Sequence, residues 1–205
     1  MQLKALRNAG LGSLALLLLC ACTVVDLDSS GNPIIPTDPS AEPNFTNQTP
    51  AQIAQGLWAS KILPAAHTQA LDWTALKQAQ SGLKEAQTQS VYARISGKIT
   101  GLDTEGLQRK LTVTVNGESV VMQLGPIIKG NAVRDAAGFI HFDDYKNQVQ
   151  FAQVAKALNK EALSSLPALD ASWVGQSVDV LAAFTLSPNS VDDGVPMEIK
   201  RGATQ

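Results

Sequence analysis

Cysteine and histidine are nearly absent, with two of each in 205 residues, and aromatic residues make up only 5%. Cys20 and Cys22 lie together near the start, so the chain beyond residue 22 carries no thiol and can form no disulfide within itself. Stability must therefore come from burial. His67 and His141 are widely separated, and a metal would need carboxylates converging beside them. Asp143-Asp144 reads better as a helix cap and Asp192-Asp193 as a polar turn, so no metal and no cofactor is expected. No Gly-x-Ser-x-Gly elbow or nucleophile–base pair is visible, and no enzymatic activity is expected. Carboxylate pairs assemble in space rather than in sequence, which leaves a carboxylate-dependent hydrolase as the remaining catalytic option. The 16 basic residues are outnumbered by 18 acidic ones. That balance excludes the basic field that nucleic-acid binding requires, and its sum would not draw an anionic bilayer.

Long apolar runs are also missing. The longest, Ala9 to Ala21, covers about 13 residues, against the roughly 20 needed to span a bilayer. It follows Lys4 and Arg7, the arrangement of a cleavable export signal. Leu19 stands three positions before Cys22 and Ala21 immediately before it, which suits cleavage ahead of a cysteine that is then lipidated. Cys20 is preceded by the bulky Leu19 and does not fit. The expected organisation is thus a lipoprotein signal over 1–21 and a lipid anchor on Cys22. Acyl chains on Cys22 would hold the body to a membrane in an extracytoplasmic compartment. Thr23 stands where an inner-membrane retention signal would place Asp, which favours the outer membrane. Removing Lys4 and Arg7 takes the basic residues to 14 and moves the net charge from −2 to −4.

Residues 22–48 read as a disordered tether, with Pro33, Pro36, Pro39 and Pro43 among polar residues. Asp26 to Gly31 imitates the start of a calcium loop, but Thr37 occupies the position that needs a bidentate Glu, so a solvated turn is the better reading. A helical subdomain over 49–88 comes next. Thr49, Pro50 and Gln52 compose a capping box. Ile53, Leu57 and Ile62 mark an apolar side, with Trp58 beside it, until Pro64 is expected to stop the helix. Asp72 caps a second helix carrying Trp73, Leu76, Ala79, Leu83 and Ala86. Trp58, Trp73 and Trp173 are expected in the core.

From Val91 the period changes to two. Val91, Ala93, Ile95, Gly97 and Ile99 face one way, and Tyr92, Arg94, Ser96, Lys98 and Thr100 the other. A second strand carries Leu111, Val113 and Val115, then Asn116-Gly117 turns a hairpin into Val120, Met122 and Leu124. A helix starting near Asp143 or Asp144 buries Phe151, Val154, Ala155, Leu158 and Ala162. Two more strands, 178–186 and 195–199, are separated by a Pro188–Gly194 loop. The fold class is therefore α+β, mainly β. Over 89–205 the order predicts a small OB-like five-stranded β-barrel with a helix between strands 3 and 4, in addition to the N-terminal helices. A mixed α+β sheet with the same order is the alternative. Gly97 and Gly101 suit the sharp coiling of a small barrel.

Residues 125–135 read Gly-Pro-Ile-Ile-Lys-Gly-Asn-Ala-Val-Arg-Asp, followed by Phe142 to Gln148 and by Ala152 to Leu158-Asn159. In that order they resemble DUF2291, the predicted periplasmic lipoproteins, a domain of unknown function. Tyr92–Thr104, Trp58 and the Cys22 signal extend the likeness over most of the chain, and Asn131 departs from the small residue more usual there. The resemblance implies helices joined to an OB-like barrel. Its association with sugar-type ABC transport genes implies a binding or accessory role in such uptake, with a small solute or a transporter component as partner.

The Gly125–Asp135 segment is the leading candidate site. Arg134 either forks onto a carboxylate or phosphate, with Lys129 as a second cation, or pairs with Asp135 or a helix carbonyl and pins the connection. The pairing is the favoured reading. Asn147, one turn before Phe151, is expected near the buried helix face, bonding the 125–135 backbone, with a sugar hydroxyl as the other option. Gln148 points further round. The Tyr92, Arg94 and Lys98 face is expected to be solvated or covered by helix rather than to bind single-stranded nucleic acid. The expected function is a non-enzymatic, membrane-anchored binding or accessory lipoprotein. The alternative is a structural lipoprotein that docks another envelope protein.

Overall fold

The computed structural model describes residues 45–202, which lie within one compact unit, Pro43–Gln205. Cys22, the 1–21 signal and the tether up to residue 44 lie outside the described residues. The helical stretch and the strands belong to the same unit rather than standing apart.

The capping box forms as its residue types require. Thr49 accepts the Gln52 amide, and the Gln52 side chain accepts the Thr49 N–H at 3.0 Å, opening α1 (Pro50–Leu57). The helical path does not stop at Pro64. A π-helical turn, Trp58–Ile62, intervenes, and α2 (Leu63–Gln69) continues the path with Pro64 in its first turn. Proline is tolerated there because its fixed φ suits the start of a helix. Asp72 caps α3 (Trp73–Ser81) by accepting from the Ala75 amide at 2.8 Å. This helix ends at Gly82, short of the Leu83 and Ala86 expected on it.

Five strands follow: β1 (Gln89–Asp103), β2 (Lys110–Val115), β3 (Glu118–Gln123), β4 (Ser177–Ser187) and β5 (Ser190–Arg201). They neighbour one another in the order β1-β2-β3-β5-β4, and the sheet closes because β1 also pairs with β4. One long strand serves two neighbours. Residues 89–98 of β1 pair with β4, and residues 98–103 pair with β2. Gly97 packs where a Cβ would strike the Thr114 carbonyl, and Gly101 follows the register shift after Ile99, so glycine permits both the bend and the close approach. Asn116 and Gly117 both adopt positive φ in the β2–β3 hairpin. The loop expected over Pro188–Gly194 is only Pro188-Asn189, because Ser187 pairs with Ser190 and β5 begins at once. The closing contact, Met122 with Gly194, is the single parallel pairing of β3 and β5.

Between β3 and β4 lie α4 (Ala132–Asp135), a 3-10 turn at Phe142–Asp144 and α5 (Gln148–Ser164). One core fills the sheet interior with Ile95, Ile99, Leu111, Val113, Met122, Val180 and Phe184. A second lies between its outer face and the helices, with Ile53, Trp58, Ile62, Tyr92, Val133, Val154, Leu158 and Leu181. Tyr92 is therefore buried on the outward side of β1, covered by helix, and its hydroxyl donates to the Val133 carbonyl at 2.9 Å. Trp58 and Trp173 are buried and Trp73 is half-buried. The class is mixed α+β with strands dominant.

Candidate functional site

The segment after β3 is fastened on both sides. On the strand side, the Leu124 amide donates to the Arg109 carbonyl at 2.8 Å and the Ile127 amide to the Leu107 carbonyl at 3.3 Å. Gly125 sits so close to Leu107 and Arg109 that a Cβ would overlap their backbone. The Gln123 amide side chain grips Lys129 twice, donating to its carbonyl at 2.9 Å and accepting its N–H at 2.8 Å. On the helix side, Asn159 Nδ2 donates to the Gly130 carbonyl at 3.3 Å.

Between the segment and α5 runs a groove of about 750 Å³. One wall is Leu124, Pro126, Ile127 and Ile128, with Arg109 at its edge. The other is the face of α5 that presents Lys156, Asn159, Lys160 and Leu163, the helical spacing that puts four side chains in one row. Asn159 is 3% exposed and its Oδ1 has no hydrogen-bond partner. Arg109, Lys156 and Lys160 are exposed and, among the described residues, have no ion-pair partner. A smaller groove of about 240 Å³ shares Arg109 and Ile127 and adds Lys110, Lys129, Val121 and Asp192.

The residues singled out from sequence do not converge. Arg134 is buried and turned away from the groove. Its Nε donates to Asp135 Oδ1 at 2.7 Å, its NH1 reaches the Phe151 carbonyl at 3.3 Å, and its guanidinium lies 3.9 Å from the Phe151 ring centre. It thus makes both of the pairings that the sequence offered, and its contacts with Phe151 tie α4 to α5. Lys129 is exposed and borders only the smaller groove. Asn147 is not near the buried helix face. It is the exposed N-cap of α5, and its Oδ1 accepts from the Gln150 amide at 2.9 Å. The helix begins there rather than at Asp143 or Asp144 because Tyr145, in extended backbone, is buried between Phe45 and Phe151. The bond expected of Asn147 to the 125–135 backbone is made by Asn159, two turns further along. Gln148 is exposed at the first turn.

Phe45 to Gln48, read from sequence as the end of the tether, belong to the folded body. Phe45 stacks on Tyr145 at 5.3 Å, its amide donates to the Asp144 carbonyl, and Gln150 Nε2 donates to the carbonyls of both Phe45 and Gln48 at 2.9 Å. The Tyr145 hydroxyl is pushed up to about 12, chiefly by burial, with the Asp144 carboxylate adding and Arg134 opposing. Burial also pushes the Tyr92 hydroxyl well above the ordinary tyrosine range.

The outward polar face of β1 forms a chain of its own. Arg94 donates to Asp179 at 2.8 Å and to His67 Nδ1 at 2.9 Å, and His67 Nε2 lies 3.1 Å from Glu198 Oε1. Since a guanidinium only donates, Nδ1 is the acceptor and Nε2 carries the proton toward Glu198. His67 is thereby held by two side chains. Among the described residues, no three His, Cys, Asp or Glu side chains cluster as a metal would need.

Sequence reasoning missed Arg109, Lys156, Asn159 and Lys160. The available signal was the Leu158-Asn159 pair within the family-like segment, together with lysines at 156 and 160 on one helical face.

A search of curated proteins gave no match. Among solved structures, the chain is similar to the crystal structure of an OB-fold protein from Thermotoga maritima MSB8. The identity is 16%, the TM-score 0.53, and the match covers 75% of this chain and 98% of that one. At that identity the likeness concerns the fold alone. A family model for the predicted periplasmic lipoproteins, DUF2291, matches residues 13–200, and on that extent the chain belongs to this family.

Proposed function

We propose that the chain is a non-enzymatic binding module built on a five-strand OB-type barrel and anchored through a lipid on Cys22. It takes a small solute into the groove between residues 124–128 and α5. Thr23, in place of Asp, supports an outer-membrane address. The groove carries the reading. Its volume of about 750 Å³ is that of a small-molecule site, and it combines an apolar wall with a few placed polar groups. A non-enzymatic role is supported by His67, whose two ring nitrogens are engaged by Arg94 and Glu198. The solute classes to be separated are sugars, suggested by the ABC-transport association, and small acids. Among the described residues, no aromatic ring lines the groove to stack on a sugar face.

Thermal denaturation of the purified lipoprotein against sugars, carboxylates and phosphates tests this. A ligand at a hundred times its Kd stabilises the folded state by about 2.7 kcal/mol, which raises the Tm by roughly 5–10 °C for a body of this size. Ser164→Trp, an exposed substitution that fills the groove, is expected to abolish the shift. No shift across the whole panel, or one that survives Ser164→Trp, defeats the reading. Docking of another envelope protein is the second reading, favoured by exposed Leu107, Val121 and Ile127 near the groove edges. It predicts that photocrosslinkers at those three positions trap one partner and that Ser164→Trp leaves the yield unchanged.

A further inference from the structure

We propose that the ligand of this groove is a small organic anion with an apolar body and a hydrogen-bond donor beside its carboxylate or phosphate. The proposal rests on the groove being the binding site. Among the described residues its lining holds three cations, Arg109, Lys156 and Lys160, and no acidic residue. The chain as a whole is acidic, with 18 acidic residues against 16 basic ones, so three cations around one depression is a local reversal of charge. Lys156 and Lys160 stand four apart on α5, where like charges repel across one helical turn. Among the described residues, neither has a carboxylate to relieve that repulsion. An anion between them does so.

The second observation is Asn159. It is 3% exposed, its Nδ2 is engaged by the Gly130 carbonyl, and its Oδ1 is left without a donor. Buried amide oxygens are ordinarily bonded. Once the amide turns to bring this buried oxygen to the groove that Asn159 lines, a hydroxyl or N–H next to the anionic group supplies that bond, with Lys156 and Lys160 placed one turn before and one residue after Asn159 to hold the charge. A bare inorganic anion leaves Leu124, Ile127, Ile128 and Leu163 uncovered, and a neutral molecule leaves the cations unmatched.

Isothermal titration of the full lipoprotein in neutral phosphatidylcholine nanodiscs tests this with five soluble probes. These are 2-hydroxy-4-methylpentanoate, its methyl ester, 4-methylpentanoate, phenyl phosphate and inorganic phosphate. The hydroxy acid is expected to bind at least about tenfold tighter than its ester, and phenyl phosphate, which carries the charge and the apolar body without the donor, tighter than inorganic phosphate. Removing the hydroxyl should weaken binding severalfold. Lys156→Gln combined with Lys160→Gln, both exposed positions, should weaken it about threefold to thirtyfold, the loss expected for two solvent-accessible charge pairs. Competition by phosphatidylglycerol vesicles would assign the anion to a lipid headgroup, and absence of competition to a free metabolite. Ester and acid binding equally, with the double variant unchanged, overturns the anion proposal and leaves the groove as a site for neutral solutes. A Ser164→Trp-sensitive thermal shift with a sugar, while none of the anions binds, does the same. Silence from sugars and anions alike removes both readings.

Discussion

Replacing Arg134 separates a structural tie from a ligand-binding cation. The guanidinium is largely buried and lies 3.9 Å over the Phe151 ring, a desolvated cation–π geometry that contributes about 1–2 kcal/mol. The ion pair to Asp135 is shorter, at 2.6 Å, but the Asp135 side chain is 43% exposed. Solvent screening limits that pair to about 0–1 kcal/mol. The donation to the Phe151 carbonyl, at 3.3 Å, and the packed aliphatic stem together add about 1 kcal/mol. Arg134→Ala is thus expected to cost about 2–4 kcal/mol, and Arg134→Met, which keeps the stem, about 1–3 kcal/mol. The Asp135→Asn change should cost at most about 1 kcal/mol.

Chemical denaturation followed by tryptophan fluorescence measures these values, since Trp58 and Trp173 are buried in the two cores. If Arg134→Ala unfolds within about 0.5 kcal/mol of the parent, the size expected of an unremarkable surface change, the account of the tie is wrong. Loss of ligand binding at unchanged stability would refute it more directly, because it would return Arg134 to the site from which the geometry excludes it.

Three further outcomes follow from buried groups. Tyr92→Phe removes a made hydrogen bond and should cost about 1–2 kcal/mol, whereas Tyr145→Phe removes a buried hydroxyl that has no partner and should be neutral or stabilising by up to about 1 kcal/mol; opposite signs in denaturation decide it. Both hydroxyls titrate higher when folded, so their contribution is intact below about pH 10, the unfolded value, and declines as pH climbs from there toward 12. The parent should therefore lose stability over that alkaline window, with a shallower loss in the Tyr92→Phe and Tyr145→Phe double variant. Gly194→Ala should cost about 1–3 kcal/mol, because its Cβ would meet the Phe184 ring at 2.8 Å and the Val121 carbonyl at 2.9 Å where β3 and β5 join.

The order of elements was legible because each boundary has a local cause. Thr49 and Asp72 cap helices through their own side chains, and Asn116-Gly117 turns through its own φ angles. Where boundaries were misread, the cause is tertiary. Pro64 does not end the helical path because a π turn precedes it, and no periodicity announces a π turn. Asp143-Asp144 carries a capping composition as good as that of Asn147, and only the burial of Tyr145 against Phe45, a hundred residues away, decides between them. The same contact shortens the tether, since four polar-flanked residues cannot reveal that their one aromatic has a partner. A groove does lie beside the candidate segment, but the side chains that line it with that segment are not the ones singled out from sequence. Asn147 and Asn159 are the same residue type on one helix, and the first spends its amide on a cap while the second is buried beside a groove.

The net charge of the chain and the charge around one groove are different quantities. A net value is a sum over the surface, and field strength at a site depends on what lies within about 10 Å, the screening distance at 0.1 M salt. Arg109 borders both the larger and the smaller groove, and with Lys110, Lys129, Lys156 and Lys160 it makes five cations along the two, where Asp192 is the one acid among the described lining residues. These residues come from the β1–β2 connection, β2, the segment after β3 and α5, so their proximity is a product of closure and of the way Gln123 and Asn159 pin the segment between them. The acidic sum is an argument against a nucleic-acid surface, which needs a positive field over many phosphates. It carries no information against one small anion, which needs two or three cations and a dry wall. The argument from composition therefore concerns extended polyanions and stops at the scale of a single groove.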